Sequence, residues 1–253
     1  MFNADPYALI VMMVGLALLP FVAMVATSYL KIVVVLSLIR NALGIQSIPP
    51  NMVLNALALI LTFYIMAPIM GESWDICSRE MAANAAAARQ SEPQAVQQGG
   101  PVAAASGLGL MASGSPEARA RTEIFVHAAE PFREFLLRET SEKQTAYFVR
   151  TAERLWATKD ENGQLQPAVV DPQSFFVLLP AFCVSELTKA FQIGFLVYLP
   201  FIAIDIIISN ILLAMGMMMV SPVTISLPFK LLLFVMVNGW TLLIQGLVQS
   251  YMH

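Results

Sequence analysis

The uneven distribution of charge along the chain is the feature that most limits how it can fold. The 253-residue sequence contains 14 Lys and Arg and 17 Asp and Glu, and only seven of these charged residues lie outside residues 72–171. Charged residues make up 12% of the chain and hydrophobic residues 58%, whereas an ordinary soluble domain is about 25% charged. Two apolar blocks, residues 1–71 and 172–253, therefore flank one polar insert, which is typical of a membrane protein.

The first block, residues 1–71, predicts a hydrophobic helical hairpin. It contains two long uncharged runs, and a helix needs about 20 apolar residues to span a bilayer. We predict helices over residues 8–38 and 52–70. Gly44 and the proline pair that follows it supply the turn between them.

Two basic residues predict how this hairpin is oriented in the membrane. Lys31 and Arg40 are the Lys and Arg residues of the first block, and both border its turn. Because basic residues concentrate in cytoplasmic loops, the turn is expected to face the cytoplasm. The chain from residue 72 onward would then lie in the periplasm.

The insert, residues 72–171, is expected to be a small periplasmic helical segment. Residues 82–114 consist mostly of Ala, Gly, Gln, Ser and Pro, a composition typical of a low-complexity linker. Further on, Pro131 predicts the start of a helix, and Ser141 with Gln144 fits a capping box at the start of the next one. Such a segment is too small to be a catalytic domain.

The last block, residues 172–253, predicts hydrophobic helices that are interrupted by proline. Proline removes a backbone hydrogen bond and clashes with the preceding turn, so breaks are expected at Pro180, Pro200, Pro222 and Pro228. The predicted helices cover residues 173–199, 201–220 and 228–250. The predicted fold class is therefore all-α: a multi-helix membrane-associated protein of hydrophobic hairpins with a small helical insert.

The sequence has no pattern typical of an enzyme, a metal site or a nucleic-acid-binding protein. The two histidines, His127 and His253, are far apart, and the sequence motifs of hydrolases and nucleotide-binding proteins are absent. Cys77 and Cys183 are too few for a disulfide framework. A net charge of −3 provides no basic surface for nucleic acid. We therefore expect no catalysis, no metal and no cofactor.

Four charged residues lie inside the last apolar block: Glu186, Lys189, Asp205 and Lys230. Charges in apolar helices are costly, and they are usually paired or functional. Glu186 and Lys189 are three residues apart and can neutralise each other on one helix face, whereas Asp205 and Lys230 need partners from other helices or subunits. Two interpretations stay open: ion pairs that fix packing, or a proton or ion relay.

The second unusual feature of this block is a run of methionines, Met217, Met218 and Met219, just before Ser221 and Pro222. Methionine is a flexible side chain that fills gaps in apolar packing, and packing is one interpretation of the run. Three adjacent methionines cannot share one face of a regular helix, however, and the Ser-Pro pair predicts a break. The alternative is a loop that lines a constriction and deforms around a passing chain.

Several long segments resemble the FliP/SctR family of type III secretion export-gate subunits. In the last block they are PAFCVSELTKAFQIGF at 180–195, PFIAIDIIISN at 200–210 and MGMMMVSPVTISLPFKLLLFV at 215–235. In the first block they are TSYLKIVVVL at 27–36, which is closer to the injectisome branch than to the flagellar one, and RNALGIQSIPPN at 40–51. The resemblance covers nearly the whole chain outside residues 82–114. One departure is Asn238, where the family more usually has Asp.

The resemblance implies a subunit of a multi-protein pore in the bacterial inner membrane. Members of the family form a homopentamer, completed by copies of a small two-helix partner and by one larger partner, and the assembly admits unfolded export substrates. The family's Met-rich loop forms a gasket, which corresponds here to Met217, Met218 and Met219. The four charged residues of the last block would then pair between helices or subunits.

Three other functions stay open at this point, one of which is a structural membrane scaffold with no pore. A flagellar export-gate subunit is the near alternative, because the family has both branches. An autonomous small-molecule or ion transporter is the alternative from another class, because such proteins place charged groups at mid-membrane.

Overall fold

The computed structural model describes residues 6–45, 49–90, 124, 126–159, 165–217 and 219–252. Nearly all of this part of the chain is helical: α1 Pro6–Val25, α2 Tyr29–Ala42, α3 Asn51–Gln90, α4 Glu130–Glu139, α5 Glu142–Leu155, α6 Phe175–Ala214, α7 Pro222–Met236 and α8 Gly239–Gln249. Two short strands, β1 Thr158–Lys159 and β2 Leu165–Gln166, pair in antiparallel orientation. The all-α class predicted from the sequence is confirmed.

The chain divides into two compact units. One unit combines Met1–Met66 with Leu136–His253, and it contains the charged residues and the methionine run of the last block. The other unit is Ala67–Phe135. Within this second unit, the Nδ1 of His127 lies 2.6 Å from Oε1 of Glu80.

The first unit is built around α6, and α2 packs along it in the same direction. The buried face of α2 has helical spacing and consists of Lys31, Ile32, Val35, Leu36, Ile39 and Ala42. The two helices approach most closely at Gly194, where an added Cβ would lie 2.3 Å from Cδ1 of Leu38. The absence of a side chain at Gly194 therefore permits this packing.

The α7 and α8 helices run back along α6, so that the three form a helical hairpin. The ring centroids of Phe201 on α6 and Phe234 on α7 are 6.3 Å apart. Beyond the end of α8, the hydroxyl of Tyr251 reaches Glu186 in the first half of α6. The tip of this hairpin is the segment that contains the methionine run.

Proline does not break the helices where the sequence predicted breaks. Pro180 and Pro200 lie inside α6, which runs for 40 residues, and Pro228 lies inside α7. The predicted boundary at Pro200 is wrong. A helical proline gives up one backbone hydrogen bond, and membrane helices tolerate this loss when neighbouring groups satisfy the freed carbonyl. Pro222 does mark a boundary, because it begins α7, where its missing N–H is not needed.

The hairpin and the first turn break instead at residues with a left-handed backbone. Gly216, with φ of 73°, follows the end of α6, and Asn238, with φ of 51°, separates α7 from α8. Gly44, with φ of 77°, begins the turn after α2, as the sequence predicted. Glycine adopts this region without a steric penalty, and asparagine is enriched there among other residues.

The predicted single helix over residues 8–38 is also wrong. The described part of α1 and α2 meet at 59° across a break of three residues. At this break the N–H of Tyr29 donates to Oγ1 of Thr27 at 3.4 Å. Threonine hydroxyls compete with helical backbone hydrogen bonds in this way. The break was not predicted because it lies within one long uncharged run of the sequence.

The predicted insert differs from the structure at two points. Residues 82–90, which were predicted to be linker, continue α3, since alanine is the strongest helix former; residues 91–114 of the same prediction lie outside the described residues. Ser141 precedes α5 at the predicted cap position, but its side chain makes no capping bond. The backbone N–H of Ser141 donates to Oγ of Ser185 on α6 at 3.0 Å.

Two described helices are long and apolar enough to cross a membrane, Asn51–Asn84 and Phe175–Ala214. The number rises to four if each bent pair, α1 with α2 and α7 with α8, is one span. At 1.5 Å per residue, α6 is about 60 Å long, about twice the hydrocarbon thickness of a bilayer. Part of α6 therefore extends beyond the hydrocarbon region if the helix stands upright.

Candidate functional site

The tip of the α6–α7 hairpin is a short loop, which we define as residues 215–221 and call the Met-rich loop. Its first turn closes α6 with two hydrogen bonds, from the N–H of Gly216 to the Leu213 carbonyl at 3.0 Å and from the N–H of Met217 to the Leu212 carbonyl at 2.9 Å. This pair of bonds is a Schellman motif, which requires a left-handed residue after the helix. Gly216 supplies that residue.

The described methionines of this loop project away from the chain. Met215 is 66% exposed, Met217 is 43% exposed and Met219 is fully exposed, whereas Met218 lies outside the described residues. These side chains are therefore not used to pack this chain's own core. Their thioether chains are unbranched and flexible, so the loop presents a deformable apolar surface.

A first group of charges surrounds Glu186 near the start of α6, and we call it the Glu186 network. Lys31 on α2 and Glu186 are 1% and 0% exposed, and Nζ of Lys31 lies 3.3 Å from Oε2 of Glu186. The Tyr251 hydroxyl donates to the same oxygen at 2.5 Å, and Nζ of Lys31 sits 3.5 Å from the centroid of the Tyr251 ring. The phenol therefore satisfies the carboxylate through its hydroxyl and the ammonium through its ring.

Lys189 extends the Glu186 network to the end of α4. Its Nζ lies 3.0 Å from Oε1 of Glu186, in an orientation unsuited to a hydrogen bond, so this attraction is mainly electrostatic. The same Nζ donates to the carboxylate of Glu139 at 3.0 Å and to the Glu139 carbonyl at 2.7 Å. Arg138 lies at the exposed edge of the network, with its Nε 3.7 Å from Oε1 of Glu139, so the Glu186 network contains three cations and two carboxylates.

A second group of polar side chains lies in the second half of α6, and we call it the Asp205 cluster. Nζ of Lys230 on α7 lies 2.6 Å from Oδ2 of Asp205, and Oγ of Ser226 donates to Oδ1 at 2.6 Å. Lys230 also donates to the Ala42 carbonyl at the end of α2, at 3.3 Å. This cluster therefore joins α2, α6 and α7.

The four charged residues predicted from the sequence are thus all found near an opposite charge of the same chain. Glu186 and Lys189 are brought together, as are Asp205 and Lys230, but the two pairs remain separate. They are 19 residues apart along α6, or about 28 Å, close to the hydrocarbon thickness of a bilayer. No described group of His, Cys, Asp and Glu could hold a metal ion.

Four members of the Glu186 network were not identified as its members from the sequence: Lys31, Arg138, Glu139 and Tyr251. Lys31 was counted as a charge that borders the cytoplasmic turn, but it is buried on α2 and bound to Glu186. The orientation argument therefore rests on Arg40, which donates to the side chain of Asn51 across the turn. A lysine within an uncharged helical run is a sequence signal of a buried partner, and it could have marked Lys31.

Comparison with known proteins adds an independent line of information. Residues 12–247 match the model of the FliP family. The chain is 44% identical to the Yop proteins translocation protein R of Yersinia pestis, over 98% of this chain and 97% of that protein. It is 43% identical to the hypersensitivity response secretion protein HrcR of Ralstonia nicotianae, over 98% of this chain and 99% of that protein.

A flagellar relative is also similar. The flagellar biosynthetic protein FliP of Pectobacterium carotovorum is 40% identical over 96% of this chain and 77% of that protein. The relatives named here thus include proteins of secretion, of translocation and of flagellar biosynthesis. The matches cover most of the chain at these identities, and the chain belongs to the FliP family, whose members include type III secretion proteins.

Proposed function

We propose that the chain is a pore-forming subunit of a type III secretion export gate in the inner membrane, and that its Met-rich loop is the gasket that closes the pore. The observation that carries the proposal is the exposed methionine surface at the tip of the α6–α7 hairpin. Met217 and Met219 are exposed in the chain, and Met218 lies between them in sequence. The family membership supports a role in protein export.

A gasket of this kind follows from the chemistry of methionine. Several copies of the chain, arranged in a ring, would bring their loops to a common axis. Apolar side chains at a constriction exclude water and ions, and unbranched thioether chains can rearrange around a passing polypeptide. The arrangement we propose is a homopentamer that is completed by two kinds of membrane partner, one smaller and one larger. Its substrates are unfolded proteins.

The charged groups favour a packing role over a proton or ion relay. Glu186, Lys189, Asp205 and Lys230 each lie within 3.0 Å of an opposite charge of the same chain. A relay needs a chain of titratable groups that runs across the membrane, whereas these groups form two separate clusters about 28 Å apart along α6. Lys189 is 37% exposed and Asp205 is 32% exposed, so these two members can also face a neighbouring subunit.

The proposed topology has several spans and a periplasmic central segment. Arg40 at the turn after α2 supports a cytoplasmic position for that turn. The opposite end of α6 carries the Glu186 network, to which the insert contributes Glu139 from the end of α4. With α2 and α6 parallel, the Met-rich loop lies toward the cytoplasmic end of the hairpin.

A secretion gate is favoured over a flagellar gate. The chain matches 97–99% of the length of the translocation and secretion relatives but only 77% of the flagellar protein. Complementation of a strain that lacks the equivalent secretion gene tests this choice. Restored secretion, without restored motility in a flagellar mutant, is the expected result.

The gasket is tested by the leak of small ions through the assembled complex in a membrane. Substitution of Met217, Met218 and Met219 by alanine removes the bulky surface, and we expect conductance to rise about tenfold or more while assembly is retained. The matched control is Met13→Ala, which truncates an exposed methionine on α1, away from the loop. A triple variant that assembles and remains as impermeable as the wild type contradicts the proposed gasket.

A further inference from the structure

The Met-rich loop is flanked by Asp205 on α6 and Lys230 on α7, which lie at similar distances from the loop along their helices. Asp205 is nine residues before the last residue of α6, and Lys230 is eight residues after the first residue of α7. Their carboxylate and ammonium groups are 2.6 Å apart. The hydroxyl of Ser226, one turn nearer the loop, donates to the other carboxylate oxygen at 2.6 Å. Both oxygens of Asp205 are therefore used to join α6 to α7.

The same cluster connects the loop to the first hairpin. Lys230 donates to the carbonyl of Ala42, which is the last residue of α2. Nearer the loop, Cγ1 of Val223 lies 3.9 Å from the position that a Cβ on Gly44 would occupy. The start of α7, which follows the Met-rich loop, thus lies close to the turn between α2 and α3. Val223 and Lys230 are the two points of α7 at which a change in that turn can reach the loop.

Burial makes this arrangement stiff. Lys230 is 3% exposed and Ser226 is fully buried, whereas Asp205 is 32% exposed, so water reaches the ion pair mainly from the Asp205 side. Separation of α6 and α7 would part Lys230 from its counter-charge, and this costs more than loss of a fully exposed ion pair. The loop between them has only seven residues, 215–221, so the spacing of its ends limits the positions that its side chains can take.

We infer that Asp205, Ser226 and Lys230 are positioning residues for the gasket. Their contacts, which we call the clasp, join the parts of α6 and α7 that flank the Met-rich loop and hold the loop in the closed conformation. The inference rests on the proposed gasket role of the loop. It differs from a general packing role because it assigns the cluster a specific effect on pore closure, separate from assembly. The link to Ala42 makes the turn after α2 the part of the chain through which the clasp can be released.

The experiment measures ion leak per assembled complex in a membrane for two matched pairs of variants. The first pair is Asp205→Asn, which removes the charge and retains the shape, and Asp205→Glu, which retains the charge at a side chain that is 32% exposed. The second pair is Ser226→Ala and Thr62→Val. Both of these remove a buried hydroxyl, but that of Thr62 bonds the Ala58 carbonyl within its own helix, α3.

The expected result is a leak about tenfold above wild type in Asp205→Asn, because removal of the charge shifts the equilibrium toward the open form, and near-wild-type closure in Asp205→Glu. Ser226→Ala is expected to leak less than Asp205→Asn but more than Thr62→Val, which should stay closed. If the Asp205→Asn variant does not assemble, the difference in ion leak between Ser226→Ala and Thr62→Val decides whether the clasp controls pore closure.

Three outcomes overturn the clasp. In the first, Asp205→Asn and Ser226→Ala assemble and remain closed while the methionine triple variant leaks, which rejects the clasp and keeps the gasket. In the second, the variants and their matched controls all leak to the same extent, which indicates that any substitution in this part of the protein loosens its packing. In the third, the methionine triple variant itself stays closed, which rejects the proposed gasket and the clasp with it.

Discussion

At the residue scale, the molecule is organised by charges that are buried in pairs. Lys31 and Glu186 are almost completely buried, and each needs the other because an isolated charge in an apolar interior is very costly. The sequence identified Glu186 as unusual, since a charge within an apolar run is visible there. It could not identify Lys31 and Tyr251 as the partners, because they are 155 and 65 residues away in sequence and only the fold brings them together.

Removal of one member of the Lys31–Glu186 pair should therefore be worse than removal of both. We expect Lys31→Met or Glu186→Gln alone to lower the free energy of unfolding by about 3–5 kcal/mol, because the remaining buried charge loses its main partner. The double variant should recover a large part of this loss. Thermal unfolding of the detergent-solubilised protein measures the effect.

The control for this cycle is Lys143→Met, which removes an exposed lysine from α5 and should change stability by no more than about 0.5 kcal/mol. A double variant as unstable as the sum of the two single variants would show that the pair does not interact in the folded protein.

At the element scale, helix type was predictable and helix ends were not. Long apolar runs indicated the apolar helices: α2 and the first part of α3 lie in the first apolar block, and α6, α7 and α8 lie in the last one. The ends were misplaced because proline was given more weight than glycine and asparagine. Pro180 and Pro200 cost α6 only local hydrogen bonds, whereas Gly216 and Asn238 adopt left-handed backbone conformations that end a helix.

The close packing of α2 on α6 depends on the missing side chain at Gly194. We expect Gly194→Ala to lower the free energy of unfolding by about 1–3 kcal/mol, because its Cβ would overlap Leu38 and push the helices apart. Leu38→Ala should suppress part of this effect by making room, and chemical unfolding of the purified protein measures both.

Gly246 on α8 provides the control for this prediction. A Cβ there would meet nothing within 4 Å, so Gly246→Ala should leave stability unchanged or raise it by about 0.5–1 kcal/mol through better helix propensity. Equal destabilisation at the two positions would mean that helix contact at Gly194 is not the cause.

At the scale of the whole molecule, two apolar blocks that are separated by about 100 residues of polar sequence build one compact unit. The first block supplies α2 and the last block supplies α6, and the Glu186 network and the Asp205 cluster join them at two levels. Composition predicted the two blocks and the polar insert. It could not predict that the blocks pack together, because every apolar surface is equally suited to lipid and to another helix.

The Met-rich loop is the clearest case of a site that was found from the sequence and interpreted through the structure. The methionine run was visible as a pattern in the sequence. Two interpretations of it stayed open there, packing in the apolar core and a loop that lines a constriction. Exposure of Met217 and Met219 at a hairpin tip favours the constriction, since side chains that packed this chain's own core would be buried.

The most direct test of the proposed conduit is site-specific crosslinking to a substrate that is arrested during export. A photoreactive amino acid at Met219, in the intact complex in living cells, should crosslink to the arrested polypeptide, while the same group at Met13 on α1 should not. The signal should disappear when no substrate is expressed. Efficient arrest of export with no crosslink at Met219 and Met217, or with equal crosslinking at Met13, would contradict the proposal that substrates pass through this loop.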